Sequence, residues 1–130
     1  MADITDAELV KTIADFLEMG HVENIIAMFR QDPDYYRLSG DILRDERFAV
    51  RMGMAVLFEE LQAIRPQEVE LAISSLSPLL SDKDPFIRGE AVNILGLINT
   101  DPARKLLHPL VNDPDPQVAE IARDCLEDEQ

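Results

Sequence analysis

Tryptophan is absent, cysteine occurs once, histidine twice, and aromatic residues make up only 5% of this 130-residue chain. Each scarcity removes a class of function. A lone thiol, Cys125, forms no intrachain disulfide. His21 and His108 stand apart from each other, so the clustered Cys and His ligands of a zinc site are missing. The five glycines (Gly20, Gly40, Gly53, Gly89 and Gly96) are dispersed and make no phosphate-cradling loop. Apolar runs such as Met52 to Phe58 fall far short of the roughly 20 residues that a membrane span needs. The start, Met1-Ala2-Asp3-Ile4-Thr5-Asp6, has neither the basic nor the apolar region of a secretory signal, so a cytoplasmic location is expected.

Positive charge is scarce too. Twelve Lys and Arg face 26 Asp and Glu, a net charge of −14. Phosphate backbones are held by Lys and Arg, so neither nucleic acid nor an anionic membrane is an expected partner. The imbalance is concentrated at one end. Residues 113–130 carry Asp113, Asp115, Glu120, Asp124, Glu127, Asp128 and Glu129 against Arg123 alone. Two readings follow: the acidity keeps the protein soluble, or it steers a basic partner. In other respects the composition, 46% hydrophobic and 29% charged, is that of one ordinary globular domain over residues 1–130.

What is present in quantity is self-similarity. Asp82-Lys83-Asp84-Pro85-Phe86-Ile87-Arg88-Gly89-Glu90-Ala91 returns as Asp113-Pro114-Asp115-Pro116-Gln117-Val118-Ala119-Glu120-Ile121-Ala122. Asp45-Glu46-Arg47-Phe48-Ala49-Val50-Arg51 is a weaker upstream copy. The offsets are 37 residues from Val50 to Ile87 and 31 from Ile87 to Val118. Periods of this size mark a stacked repeat array.

Between and within the copies the pattern is helical, and no period-two strand pattern occurs. Thr5 and Glu8 fit a capping box, followed by Leu9, Ile13, Phe16 and Leu17 at helical spacing and a stop at Gly20. Further helices are predicted over His21–Arg30, Tyr35–Leu43, Phe48–Ile64, from Pro66 to about Leu80, Pro85–Ile98, from Thr100-Asp101-Pro102 to about Val111, and from Pro116 to about Glu127. Gly40 should weaken its helix by roughly 1 kcal/mol relative to alanine. Pro78 and Pro109 recur at one register inside helical patterns, so a bend belongs to the repeat geometry.

Taking Ile87 as zero, Ala91, Ile94, Leu95 and Ile98 at +4, +7, +8 and +11 form one apolar stripe. Val50, Met54, Leu57, Phe58 and Leu61 form the stripe of the upstream copy, and Val118, Ala122, Cys125 and Leu126 that of the downstream copy. No repeat can bury its stripe alone, and stacking makes the core continuous. Cys125 on a core position is expected to be a buried, inert thiol.

These residues resemble the HEAT-repeat family, specifically the short bacterial type found also in phycobilisome-lyase-like proteins. Asp82, Asp84, Pro85, Ile87, Arg88, Ala91, Leu95 and Gly96 match its pattern of a turn Asp followed by a Val-Arg helix; Asp113, Asp115, Pro116, Val118, Ala122 and Leu126 match it with Ala119 in place of the arginine. The resemblance implies an all-α solenoid of antiparallel helix pairs: an N-terminal helical cap over 1–33, then repeats over 34–64, 66–98 and 100–127. It also implies that Arg51 and Arg88 pair with turn acids such as Asp82 and Asp113, and that Ala119 marks a terminal repeat. Di-iron HEAT enzymes of the deoxyhypusine hydroxylase type use repeated His-Glu pairs, which His21-Val22 and His108-Pro109 lack. The Asp82/Asp84 and Asp113/Asp115 pairs lack the glycine and closing glutamate of a calcium loop and are expected to be helix caps.

No catalytic, cofactor or metal-ligating residue is therefore expected, and the protein is read as a non-catalytic adaptor. In the family the second helix of each pair lines the inner face. Positions +2, +6 and +9 should point outward there: Met52, Val56 and Glu59, then Gly89, Asn93 and Gly96, then Glu120, Asp124 and Glu127. This face is the expected site for a helix or extended segment of another protein. The alternative is an accessory or chromophore-handling role of the lyase-like type. The helix from Phe48 is apolar on nearly every side, so either the segment Leu9–Phe29 folds over it or it awaits a partner. The register itself is testable. Leu95→Ala, on the stripe, should cost about 2–5 kcal/mol in chemical denaturation and Leu97→Ala, off it, clearly less; equal small losses would contradict the register.

Overall fold

The computed structural model of the chain describes residues 4–127. Met1 to Asp3, part of the start weighed as a signal, and Asp128 and Glu129 of the acidic end lie outside the described residues. The described chain is helical, with α1 at Asp6–Glu18, α2 at Val22–Gln31, α3 at Ser39–Leu43, α4 at Phe48–Ile64, α5 at Ile73–Leu76, α6 at Pro85–Ile98, α7 at Asp101–Leu107 and α8 at Pro116–Glu127. Short 3₁₀ segments occupy Pro33–Leu38, Val69–Ala72, Ser77–Ser81 and His108–Asn112. Among the described residues there is no strand. This is the all-α solenoid arrangement that the repeat implied.

Local chemistry sets the helix ends. The Thr5 hydroxyl accepts from the Glu8 amide and the Glu8 carboxylate accepts from the Thr5 amide, which completes the capping box. Beyond α1, Gly20 takes φ +85°, a left-handed conformation that side chains disfavour. Asp84 caps α6 through the Phe86 amide, and Thr100 caps α7 through the Ala103 amide. Asn99 closes α6 at φ 54°.

The long second helices α4 and α6 span the predicted residues. The first helices of the pairs do not run as single α-helices. They alternate between α and 3₁₀ geometry, and the switch to 3₁₀ falls beside Pro78 in the second repeat and Pro109 in the third. Proline has no amide hydrogen to give to the carbonyl four residues back, so the α ladder is interrupted at one register in both copies. The helix expected from Pro66 begins instead at Val69, in 3₁₀ form, and the one expected from Tyr35 splits into a 3₁₀ turn and α3.

The pairs stack. In one layer α4 lies against α6 and α6 against α8; in the other the segment 33–43 lies against 69–81. A single apolar cluster runs through the stack, from Ile13 and Leu17 on α1 through Met54, Phe58, Leu76 and Leu95 to Val118 and Ala122 on α8. Tyr36 sits in its aromatic centre, edge-on to Phe29 at 5.0 Å and to Phe58 at 6.1 Å between ring centroids.

Gly40 is not the weak point its helix propensity implied. Its amide donates to the Ser75 hydroxyl at 2.7 Å, and a Cβ at this position would fall 2.2 Å from the Ser75 carbonyl oxygen. The first helices of neighbouring repeats touch here backbone to backbone, which only glycine permits. Gly40→Ala should therefore cost more than about 2 kcal/mol. At Gly89 the nearest atom to a new Cβ is Ile121 Cδ1 at 3.5 Å, an ordinary contact. Gly89→Ala should be neutral or stabilise by up to about 1 kcal/mol through helix propensity. Urea denaturation of both variants checks the contrast, and the opposite order would contradict the close approach at Ser75.

Candidate functional site

Two surfaces of the stack carry its polar chemistry, and they differ in what they do. The first is the edge formed by the turns between paired helices. Asp82 accepts from the Asp84 amide and Asp84 from the Phe86 amide; Asp113 accepts from the Asp115 amide, and Asp115 from the amides of Gln117 and Val118. The Asp-x-Asp pairs thus tie the turn and start the next helix, as capping requires.

Arginines cross-link this edge. Arg88 donates through Nε and Nη2 to the two carboxylate oxygens of Asp113, both at 2.9 Å, and through Nη1 to the Asp82 carbonyl at 2.8 Å. The fork joins two repeats and is well shielded, with side-chain exposures of 14% for Arg88 and 4% for Asp113. Arg51 departs from the expected ladder. It donates to the carbonyls of Asp45 and Glu46 in its own turn. Asp82 is taken by Arg44 instead, which reaches it from the end of α3. Arg47 extends the edge to the N-terminal hairpin, pairing with Asp45 and with Asp15 and Glu18 of α1. The Arg88 guanidinium holds the Asp113 carboxyl below its ordinary range, and the Asp84 amide followed by Arg44 does the same for Asp82.

The second surface is the outward side of α4, α6 and α8. Met52, Val56 and Glu59 are exposed on α4, and Glu120, Asp124 and Glu127 on α8, as the spacing predicted. Asn93 on α6 is half-buried. Gly89 corrects the expectation: it is buried, because Val118 and Ile121 of α8 lean over it. Gly96 likewise faces Cys125 across the α6–α8 contact. The smallness of these glycines serves the fit between repeats. Cys125 is half-buried, not enclosed, and lines a shallow cleft with Asn93, Gly96 and Asn99.

The N-terminal hairpin covers only part of α4. Leu17 of α1 lies on Gly53, where a Cβ would meet its side chain at 3.0 Å. The outward stripe of α4 stays open, with Phe48 64%, Met52 49% and Val56 44% exposed. Phe86, at the start of α6, is 70% exposed. Arg51 lies over the Phe48 ring at 5.8 Å from its centroid. Phe48 and Phe86 were not singled out in the sequence because they precede the stripe positions Val50 and Ile87. Their place at helix starts off the apolar stripe is the signal that could have found them.

Between the first turns of α6 and α8 lies a cleft of about 210 Å³, lined by Phe86, Gly89, Glu90, Gln117, Val118 and Ile121 among others. Glu90 on its wall has its carboxyl pushed up by burial, offset in part by Arg51.

The chain matches the family model for HEAT repeats over residues 40–127. It belongs to the HEAT-repeat family. The matched stretch takes in α4, α6 and α8, the Arg88–Asp113 fork and the cleft, and leaves the whole N-terminal hairpin of α1 and α2 outside it. No curated protein and no solved structure matches the chain. HEAT repeats as a class mediate protein–protein interaction, and their proteins are typically non-catalytic scaffolds. No helix among the described residues is long and apolar enough to cross a membrane.

The Arg88 fork makes two predictions. Arg88→Ala should lower stability by about 2–3 kcal/mol, since it removes charge-assisted bonds from a shielded pair. Because the carboxyls of Asp113 and Asp82 are depressed in the folded state, their contribution is present above the ordinary carboxylate range and is lost as pH falls below about 4. Asp113→Asn should flatten that acid decline in melts taken from pH 7 to pH 3. An unchanged melting temperature in Arg88→Ala would remove the fork from its structural role.

Proposed function

We propose that this protein is a non-catalytic adaptor that holds a segment of another protein on the outward face of α4, α6 and α8. The observation that carries the reading is the open apolar stripe of Phe48, Met52 and Val56, with Phe86 beside it. Exposed large apolar side chains that line up along one helix, next to a closed core, are what an interaction site needs. Met52 adds a flexible side chain that adapts to different partners. The candidate contact residues are Met52, Val56, Glu59, Gly89, Asn93, Glu120, Asp124 and Glu127, to which Phe48 and Phe86 are added.

Gly89 is buried beneath Val118 and Ile121 and contributes only as the floor of the cleft beside them. In this reading residues 1–33 act as a cap on the first repeat and the chain works in the cytoplasm, with neither nucleic acid nor membrane as partner because of its net charge of −14.

The test is quantitative affinity capture with the full chain. Met52→Asp and Val56→Asp should each lose the proteins bound specifically by the wild type, because the apolar centre of an interface carries most of its energy. Their melting temperatures should be unchanged, since both positions are exposed. Retention of the same proteins by both variants would move the site to another face.

A further inference from the structure

The cleft beside Gly89 has a cause in the repeat register. The offset of 37 residues that carries Val50 onto Ile87 also carries Met52 onto Gly89. A methionine side chain in one repeat is thus replaced by a hydrogen atom in the next, and about 210 Å³ stands open between α6 and α8. The offset of 31 carries Gly89 onto Glu120 in the last repeat. Only the middle position of the three is empty.

The cleft combines apolar and acidic side chains. Phe86, Val118 and Ile121 form apolar walls, and Glu90 and Asp115 line it as well. Glu120 and Asp124 are exposed on α8, and Glu59 and Glu60 on α4. No ion pair among the described residues engages Glu59, Glu60, Glu90, Glu120 or Asp124. The nearby arginines are committed to the turn edge, Arg51 to two carbonyls and Arg88 to Asp113 and a carbonyl.

We propose that the cleft beside Gly89 is an anchor pocket for one large apolar side chain on a basic amphipathic helix of a partner protein. The inference rests on the adaptor reading and names the chemistry of its partner. The anchor lies where Gly89 offers no side chain, at the repeat position that Met52 occupies on α4. Lysines or arginines flanking the anchor meet Glu120 and Asp124 on α8, the helix that supplies Val118 and Ile121 to the cleft, which speeds encounter and sets orientation. A second copy of this chain is a poor occupant, because it would bring a further charge of −14 to an acidic face.

The probe is a labelled 18-residue synthetic helix with leucine on one face and lysine on the other. A control peptide carries glutamate in place of each lysine. Binding to the full chain is read by fluorescence anisotropy at two salt concentrations. The lysine peptide should bind saturably and at least tenfold more tightly than the glutamate peptide, with affinity falling as salt rises. Gly89→Met should fill the cleft and weaken the lysine peptide at least tenfold. Phe86→Ala, at a position exposed enough to spare the fold, should weaken it severalfold, and the methyl resonances of Val118 and Ile121 should shift on titration of the wild type.

Absence of binding by the lysine peptide, equal binding by both peptides, or unchanged affinity in both variants would overturn the proposal. So would a dimer of the free chain that Gly89→Met abolishes, since the occupant would then be a second copy. Loss of capture in Met52→Asp together with unchanged peptide binding in Gly89→Met would overturn the anchor alone and leave the adaptor reading standing.

Discussion

Each helix pair of this chain carries an apolar stripe that it cannot cover alone. Val50, Met54, Leu57, Phe58 and Leu61 on α4, and Ile87, Ala91, Ile94, Leu95 and Ile98 on α6, are each buried only because other elements stand beside them. This dependence explains the close contacts. Gly40 lets two first helices approach to backbone contact at Ser75, and Gly53 and Gly96 let the second helices meet Leu17 and Cys125. At the end of the stack no later repeat follows within the described residues, and Ile121, Cys125 and Leu126 remain half-buried there.

Stacking also divides the polar groups. Arginine forks and aspartate caps gather at the turn edge, where Arg88 ties Asp113 and Arg44 ties Asp82. The outward face of the second helices is left with carboxylates and a row of apolar side chains. Arg44 and Arg88 join neighbouring repeats and Arg37 and Arg47 join the N-terminal hairpin, so these four cations are held away from the outward face. The same residue position can be filled by Met52, emptied at Gly89 or charged at Glu120 without disturbing the stripe beneath it. That freedom is how a repeat array changes what it binds while keeping its fold.

The second helices were legible from the sequence almost to the residue, because a period of 3.6 marks the buried side of all three and capping aspartates with Pro85 and Pro116 mark the starts of α6 and α8. The first helices were less so. A period of three and a period of 3.6 are hard to tell apart over five or six residues, and the switches beside Pro78 and Pro109 appear only as bends. Arg88 was placed correctly because its partner lies one repeat on. Arg51 was not, because Arg44 lies nearer to Asp82 and leaves it to cap carbonyls. Gly89 was assigned to the outward face by helical angle alone; what buries it is Ile121, a side chain from another repeat that no single-helix projection contains.

Helix α4 is buried on one side and open on the other, with the hairpin of α1 and α2 leaving its outward stripe free. Met52 and Met54 lie two residues apart on that helix, one 49% exposed and the other fully buried. Oxidation of the folded protein with dilute peroxide, followed by peptide mass spectrometry, reads the two sites separately. Met52 should convert to the sulfoxide readily, at a rate near that of the exposed Met19, while Met54 should resist until the protein unfolds. Equal protection of Met52 and Met54, or faster oxidation of Met54, would contradict this arrangement.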